Sequence, residues 1–299
     1  NSASAILGEE ILSGDICPLA KATFGQFLRK DSPANRCQVL ILPSSCDAKR
    51  KMAQTLNDYK PVFMLNLPPE KQHTRYGEQV YAEFQRLIAF LEKHLQARIS
   101  KKKLKTSIQD SRERSLLIRQ IQDERIREPR SLSMPDFFLI IQSMLFGTAD
   151  ASEWNQQTKC TIEWMRSFRA ERRNLKPRLI LTGAPLVWPN YKILHLLEES
   201  GADIIADTLC SGAQACFDPV VPSEWTVSGM IRALSNRYVF APVCPCFISQ
   251  ESRLHRVLEL CEQGKANGVV NHALRLCQPF DMETYRIERT LKERRIPFM

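Results

Sequence analysis

Residues 38–47 read QVLILPSSCD, and this stretch decides the fold. A short apolar run, VLIL, ends in a Pro-Ser-Ser turn that carries Cys46 and Asp47. A four-residue apolar run bounded by turn residues is the pattern of a buried strand in a parallel sheet. The spacing predicts a strand over Val39–Leu42, a helix over Asp47–Asn57, and a second strand over Pro61–Leu67 (PVFMLNL). Two strands with a helix between them form a β-α-β unit, most simply a right-handed parallel crossover. Ligands of open α/β sheets collect at the carboxyl ends of strands, so Cys46 is presented to a crevice.

Outward from this unit, Asn1–Leu28 reads as helix, break, helix, with Cys17-Pro18 at the break. Pro is tolerated at a first helical position, so Cys17 is expected near a helix N-terminus, where backbone amides favour a thiolate. Tyr76–Arg127 is long and helical, with a second helix from Leu104. Further helices are expected at Pro135–Phe146 and Ser152–Arg172. Strand and helix patterns then alternate. RLILTG is a strand and turn, ADIIADTLCSG a strand entering a turn at Cys210, and GVVNHAL a strand leading to Cys277, while Tyr191–Ser200, Ser228–Tyr238, Ser252–Gln263 and Met282–Arg294 are helices. IPFM begins a last strand. The expectation is an α/β protein with a first α/β domain over 1–70, an inserted helical module over 71–175, and a second α/β domain over 176–299.

The 299 residues are 43% hydrophobic and 25% charged, within the range of a globular chain. The longest apolar run, Phe137–Phe146, is interrupted by Gln142 and too short for a bilayer, and no signal-peptide pattern opens the chain. The chain opens at Asn1 and stops on an apolar run, which reads as a trimmed piece of a longer protein, with targeting at the true N-terminus left open. The net charge is +9, and residues 98–130 hold eleven Lys and Arg against five Asp and Glu. That surplus fits a solvated helix face, an acidic partner or a phosphorylated ligand. No aromatic residue is interleaved there and no nucleic-acid motif is present, so a nucleic-acid partner is not expected. GxGxxG and GxxxxGK[ST] are both absent, so no NAD or ATP site is expected by those routes.

The chain has 10 Cys. In a large α/β chain without a signal sequence, metal or redox chemistry outranks disulfides. Cys17, Cys46, Cys210, the Cys244/Cys246 pair and Cys277 all sit at breaks or strand-end turns. For Cys37, Cys160, Cys216 and Cys261, in no turn-like context, a place in the core competes evenly with a ligand role. Scattered thiolates without paired His suit iron–sulfur clusters or zinc, but compact CxxC zinc pairs are missing.

DICPLAKATFG (15–25), LPSSCDAKRK (42–51), LLEESGADIIADTLCSG (196–212) and residues 268–299 together resemble the 2-hydroxyacyl-CoA dehydratase and benzoyl-CoA reductase family, in the right order. The resemblance implies two Rossmann-like domains and a helical region around an iron–sulfur cluster. The family's CP, PxxCD and FC-type motifs match Cys17, Cys46 and Cys277, which implies three ligands to a [4Fe-4S] cluster. APVCPCF and DTLCSG look most like the double-cubane branch, which implies an [8Fe-9S] cluster with Cys210, Cys244 and Cys246 as a second trio. Leu276 departs from the pattern, since an aromatic often precedes this Cys.

The implied activity is reduction of a small molecule by low-potential electrons from a separate ATP-hydrolysing iron–sulfur activator, in a cytoplasmic homodimer or heterodimer with a related subunit. The alternatives are a 2-hydroxyacyl-CoA dehydratase subunit with one [4Fe-4S] cluster, Lys101–Lys105 attracting CoA phosphates, and a non-catalytic relay or accessory subunit. No catalytic residue is assigned; Ser45 and His272 are candidates, with His272 first a structural histidine. Asp47, Ser45 and Ser211 flank ligand cysteines and either tune them by hydrogen bonds or cap turns. His272 and Arg275, just before Cys277, are read as possible cleft residues.

Overall fold

A computed structural model of the chain describes residues 2–71, 73–147, 150–168, 176–241, 244–248 and 251–299. In order, the elements are α1 (Ser2–Glu9), α2 (Pro18–Leu28), β1 (Leu40–Pro43), α3 (Asp47–Leu56), β2 (Val62–Leu65), α4 (His73–Leu95), α5 (Lys101–Arg127), α6 (Met134–Phe146), α7 (Ala151–Ser167), β3 (Arg178–Gly183), α8 (Lys192–Glu199), β4 (Asp203–Asp207), α9 (Val227–Ser235), α10 (Glu251–Gly264), β5 (Gly268–His272) and α11 (Gln278–Glu293). This is an α/β chain dominated by helix, with two small parallel sheets.

Contacts group the chain into two units that interleave in sequence. The first comprises Asn1–Ser107, Val220–Gln250 and Leu274–Asp281; the second comprises Ile108–Pro219, Glu251–Ala273 and Met282–Met299. Helix α4 lies in the first unit, and α6 and α7 lie in the second.

In the first unit β1 and β2 pair in parallel, Leu40 with Val62 through Pro43 with Leu65. One face packs Leu40, Leu42 and Val62 against Leu12, Phe24, Met52 and Leu56. Leu65 and Leu67 join a second cluster of Val80, Phe84, Ile231, Val239 and Phe247 from α4, α9 and the segment after α9. Apolar residues alternate between layers because strand side chains alternate. Helices α1 and α2 approach closely at two glycines: a Cβ on Gly8 would strike the Lys21 carbonyl, and one on Gly25 the Ser4 carbonyl.

In the second unit the strand order is β4-β3-β5, all parallel, with a register shift between Leu179 and Ile180. Leu181, Ile204 and Val270 face a core with Ile118, Ile121, Phe137, Phe138, Ile141 and Met165. Ile180, Ile205 and Val269 face the opposite core, with Val257, Leu260, Ile287 and Leu291. Both sheet faces are buried, which is why these strands read as continuous apolar runs. Phe298 pairs in parallel with Val269, so IPFM adds a short extension at the β5 edge.

The second unit also buries charge. Arg125 donates to the carbonyls of Leu132 and Ile204 at 3.0 and 2.7 Å. Arg253 pairs with Glu283 at 2.6 Å, both nearly inaccessible, and donates to Thr182 Oγ1 at 3.2 Å. Asp207, at the carboxyl end of β4, accepts the amide N–H groups of Leu209 and Ala213 at 2.9 and 3.2 Å. Burial pushes its carboxyl up to about 7, against the opposing pull of those amides and of Arg125.

Several element boundaries differ from the sequence reading, three of them for clear local reasons. Helix α11 starts at Gln278, four residues before the expected Met282, because Pro279 falls in its first turn, where a missing N–H costs nothing. Helix α9 ends at Ser235 and continues as a π turn over Asn236–Phe240, closed by Ala241 N–H donating to the Asn236 carbonyl at 2.8 Å. Helix α7 runs Ala151–Ser167, and the remainder of the expected Ser152–Arg172 helix beyond Phe168 lies outside the described residues.

Candidate cofactor site

Three of the cysteines singled out in sequence belong to the first unit, and each stands immediately before a helix. Cys17 is the N-cap of α2, with Pro18 at its first position, and Cys46 is the N-cap of α3. Cys277 precedes α11, and its carbonyl accepts the Asp281 N–H at 3.0 Å. All three are half-buried. The start of a helix leaves amide N–H groups unpaired and carries the positive end of the macrodipole, a setting that favours a thiolate.

The chain holds each of these cysteines by local means. Lys21, itself buried, pairs with Glu9 at 2.5 Å and donates to the Gly14 carbonyl at 3.0 Å, pinning the loop that delivers Cys17. Ser44 N–H donates to the Leu65 carbonyl at 2.9 Å, and its Oγ accepts from Leu67 N–H at 2.8 Å, tying the turn before Cys46 to the end of β2. Before Cys277, Leu276 adopts φ 68°, the left-handed region, and Cys277 N–H donates to the Leu274 carbonyl at 2.9 Å. A leucine there costs about 1–3 kcal/mol, and such strain clusters at functional positions.

Cys17 and Cys277 share a side-chain hydrogen bond. That bond, the amides of Leu19 and Ala20, and the nearby Lys49 charge bring the Cys17 thiol down to about 6, against the opposing effect of burial. The same bond, burial and the negative charge of Cys17 and Cys46 push Cys277 up. Cys277 therefore feels both of the other thiols.

The Cys244–Cys246 turn belongs to the same unit. Its two thiols share a hydrogen bond, which together with burial pushes Cys246 up while Lys49 opposes the shift. Buried Phe247 anchors the turn from the apolar side, and Ile248 N–H donates to the Pro69 carbonyl at 3.0 Å, just past β2. Pro242 and Val243 of the APVCPCF motif lie outside the described residues.

Cys210 falls in the second unit, exposed, in the turn that follows β4. Five of the six expected ligands thus belong to one unit. Of the remaining cysteines, Cys216 and Cys261 are buried core residues and Cys37 and Cys160 are exposed. Lys49 Nζ donates to Ser45 Oγ at 2.9 Å, Asp47 pairs with Arg50 at 3.2 Å in solvent, and Ser211 Oγ accepts from Leu186 N–H at 2.9 Å. His272 is half-buried in the second unit, and burial lowers its pKa and favours the neutral ring; exposed Arg275 lies in the first unit.

The family description 2-hydroxyglutaryl-CoA dehydratase, D-component, matches residues 1–299. The chain belongs to this family. It is 25% identical over 295 residues to the putative dehydratase subunit YjiM of Escherichia coli (strain K12), covering 97% of this chain and 76% of that protein. It is 22% identical over 302 residues to a benzoyl-CoA reductase subunit of Thauera aromatica, covering 98% of this chain and 76% of that one.

For a D-component family member the donor set can be tested against an iron–sulfur group. Among the described residues, no three His, Cys, Asp or Glu side chains converge as a single metal ion would demand. A cluster does not demand it, because each thiolate takes a different iron. The half-buried thiols at three helix starts supply the soft, all-sulfur donors that iron–sulfur clusters take. The donor chemistry therefore fits.

Sequence reading missed Lys49 in this D-component chain. Its ammonium acts on both Cys17 and Cys246. In sequence it is one of 42 Lys and Arg, and only its place one turn after Cys46 sets it apart.

Proposed function

We propose that this protein is the iron–sulfur subunit of a reductase, carrying a double-cubane cluster, with Cys17, Cys46 and Cys277 holding one cubane and Cys210, Cys244 and Cys246 the other. The observation that carries the reading is the pair of thiol groups in the first unit. Cys17, Cys46 and Cys277 interact at helix starts, and Cys244 with Cys246 offers soft donors beyond the three that one cubane needs. When bound, such a group supplies low-potential one-electron transfer.

The chain's own residues provide the site. The start of α2 favours a thiolate at Cys17. The tied turn at Ser44 and the Lys21 clamp fix Cys46 and Cys17 before any cofactor arrives. Electrons come from a separate ATP-hydrolysing iron–sulfur activator and pass to a small molecule that is hard to reduce. The reading carries a cytoplasmic dimer with it. Ser45 and His272 are not assigned catalytic roles.

The names of the relatives, a dehydratase subunit and a benzoyl-CoA reductase subunit, favour a second reading. In it the chain holds one [4Fe-4S] cluster through Cys17, Cys46 and Cys277 and acts on a CoA thioester. Exposed Lys101, Lys102 and Lys103 at the start of α5 then face the CoA phosphates. Iron and acid-labile sulfide per chain, measured on anaerobically purified protein, separate the two. About eight irons are expected for the first reading and about four for the second. No iron after reconstitution overturns both and leaves an accessory subunit.

A further inference from the structure

Gln142 interrupts the apolar run of α6, and it is buried there beside Ile141 and Phe138, where a leucine would suit the packing. A buried amide costs free energy unless it is hydrogen-bonded. This one is saturated. Its Nε2 donates to the Leu186 carbonyl at 2.9 Å and to the Ser211 carbonyl at 3.5 Å. Its Oε1 accepts the Trp188 N–H at 3.0 Å and the Tyr191 hydroxyl at 2.9 Å. Two donors and two lone pairs are all that a side-chain amide has. None of these partners lies on α6. Leu186, Trp188 and Tyr191 belong to the loop after β3, and Ser211 to the turn after β4. The two loops also meet directly, with Leu186 N–H donating to Ser211 Oγ at 2.9 Å. Asp207 holds the same turn through the N–H groups of Leu209 and Ala213, and a Cβ at Gly212 would strike its carboxylate. The anchors Gln142, Leu186, Tyr191 and Ser211 are buried, whereas Trp188 is 65% exposed and Cys210 is exposed.

We propose that Gln142 is a positioning residue that joins the loops after β3 and β4 and thereby fixes the turn of Cys210 before any cofactor arrives. Helix α6 is locked by Phe137, Phe138 and Ile141 in the core of the second unit, so the amide cannot follow a moving loop. A ligand held on a loop needs such a buried support, because the loop alone does not define its place. One amide serves both loops, so loosening it loosens both. The joining of the loops stands on these hydrogen bonds alone. Its consequence for Cys210 as a ligand rests on the iron–sulfur reading.

The test uses the full chain with Gln142→Met, Gln142→Glu and Ser211→Ala. In the metal-free reduced protein, hydrogen exchange is followed by peptide mass spectrometry over residues 184–191 and 208–213, with residues 40–65 as the control. Gln142→Met fills the space without the amide and should speed exchange roughly tenfold in 184–191. Exchange in 208–213, which Asp207 still holds, should speed by a smaller factor, about threefold. At pH 5 a buried Gln142→Glu side chain is neutral, keeps an accepting oxygen and one donor, and should restore most of the protection. Ser211→Ala cuts only the direct link and should speed both segments less; it decides the matter if Gln142→Met does not fold. Unchanged exchange in either segment of a folded Gln142→Met protein overturns the proposal. So does an equal change in residues 40–65, which marks altered folding. Equal exchange in Gln142→Met and Gln142→Glu at pH 5 assigns the effect to packing and also overturns it. In reconstituted protein, Gln142→Met should lose iron as Cys210→Ser does, toward about four of eight. Full retention in Gln142→Met beside loss in Cys210→Ser would overturn the consequence for Cys210. If the parent holds no more than four irons, the double-cubane reading fails while hydrogen exchange still decides the role of Gln142.

Discussion

The cysteines of the first unit and those in the core of the second carry the same side chain in opposite settings. Cys17, Cys46 and Cys277 stand at helix starts, half-buried, beside one another's thiols and the Lys49 charge. Cys261 lies within α10 against Val257 and Leu260, and burial pushes its thiol up to about 11. Cys216 is packed among Leu209 and Ala213. The backbone decides the difference. A helix start supplies amides and dipole to a thiolate, whereas the amides of a helix interior are bound to its own carbonyls. Both units also bury charge, the first at Lys21 and Glu83 and the second at Arg125, Asp207, Arg253 and Glu283.

The largest effect expected of this contrast is on stability in the second unit. Glu283→Ala leaves Arg253 charged and buried without its partner, which costs about 3–5 kcal/mol. Chemical denaturation should show that loss, and replacing both residues with apolar side chains of similar size should recover most of it. A cost below about 1 kcal/mol for the single change would mean that the pair is solvated and the contrast with the first unit is false.

A smaller effect concerns Asp207. Its carboxyl has a folded-state pKa of about 7, above the ordinary unfolded value of about 3.9. Between those values the native state binds more protons than the unfolded state. Stability should therefore fall as pH rises from about 4 to about 7 and stay lower above that, by up to a few kcal/mol. Asp207→Asn, which mimics the protonated acid, should remove this slope in thermal melts and gain on the parent above pH 7. Parallel melting curves for the two proteins across the window would place the carboxyl in solvent.

Much of this was legible in sequence. The run VLILPSSCD does give β1, a turn and the N-cap of α3, and Cys17-Pro18 does open α2, because Pro at a first helical position is a local rule. The division among the leftover cysteines was legible too and went unread. On α7 the buried face is Trp154, Thr158, Ile162 and Met165, which excludes Cys160, and on α10 it is Arg253, Val257, Leu260, Cys261 and Gly264. The interleaving of the two units was not legible. An amphipathic stripe states that a helix covers something, not which sheet it covers, so the separation of α4 from α6 and α7 could not be read from periodicity.

The measurement that tests the central claim most directly is iron retained per chain, after anaerobic reconstitution, in Cys46→Ala beside Cys261→Ala. The account predicts that Cys46→Ala loses cluster iron while Cys261→Ala keeps the parent content. Full retention of iron in Cys46→Ala, or equal loss in both, would contradict it.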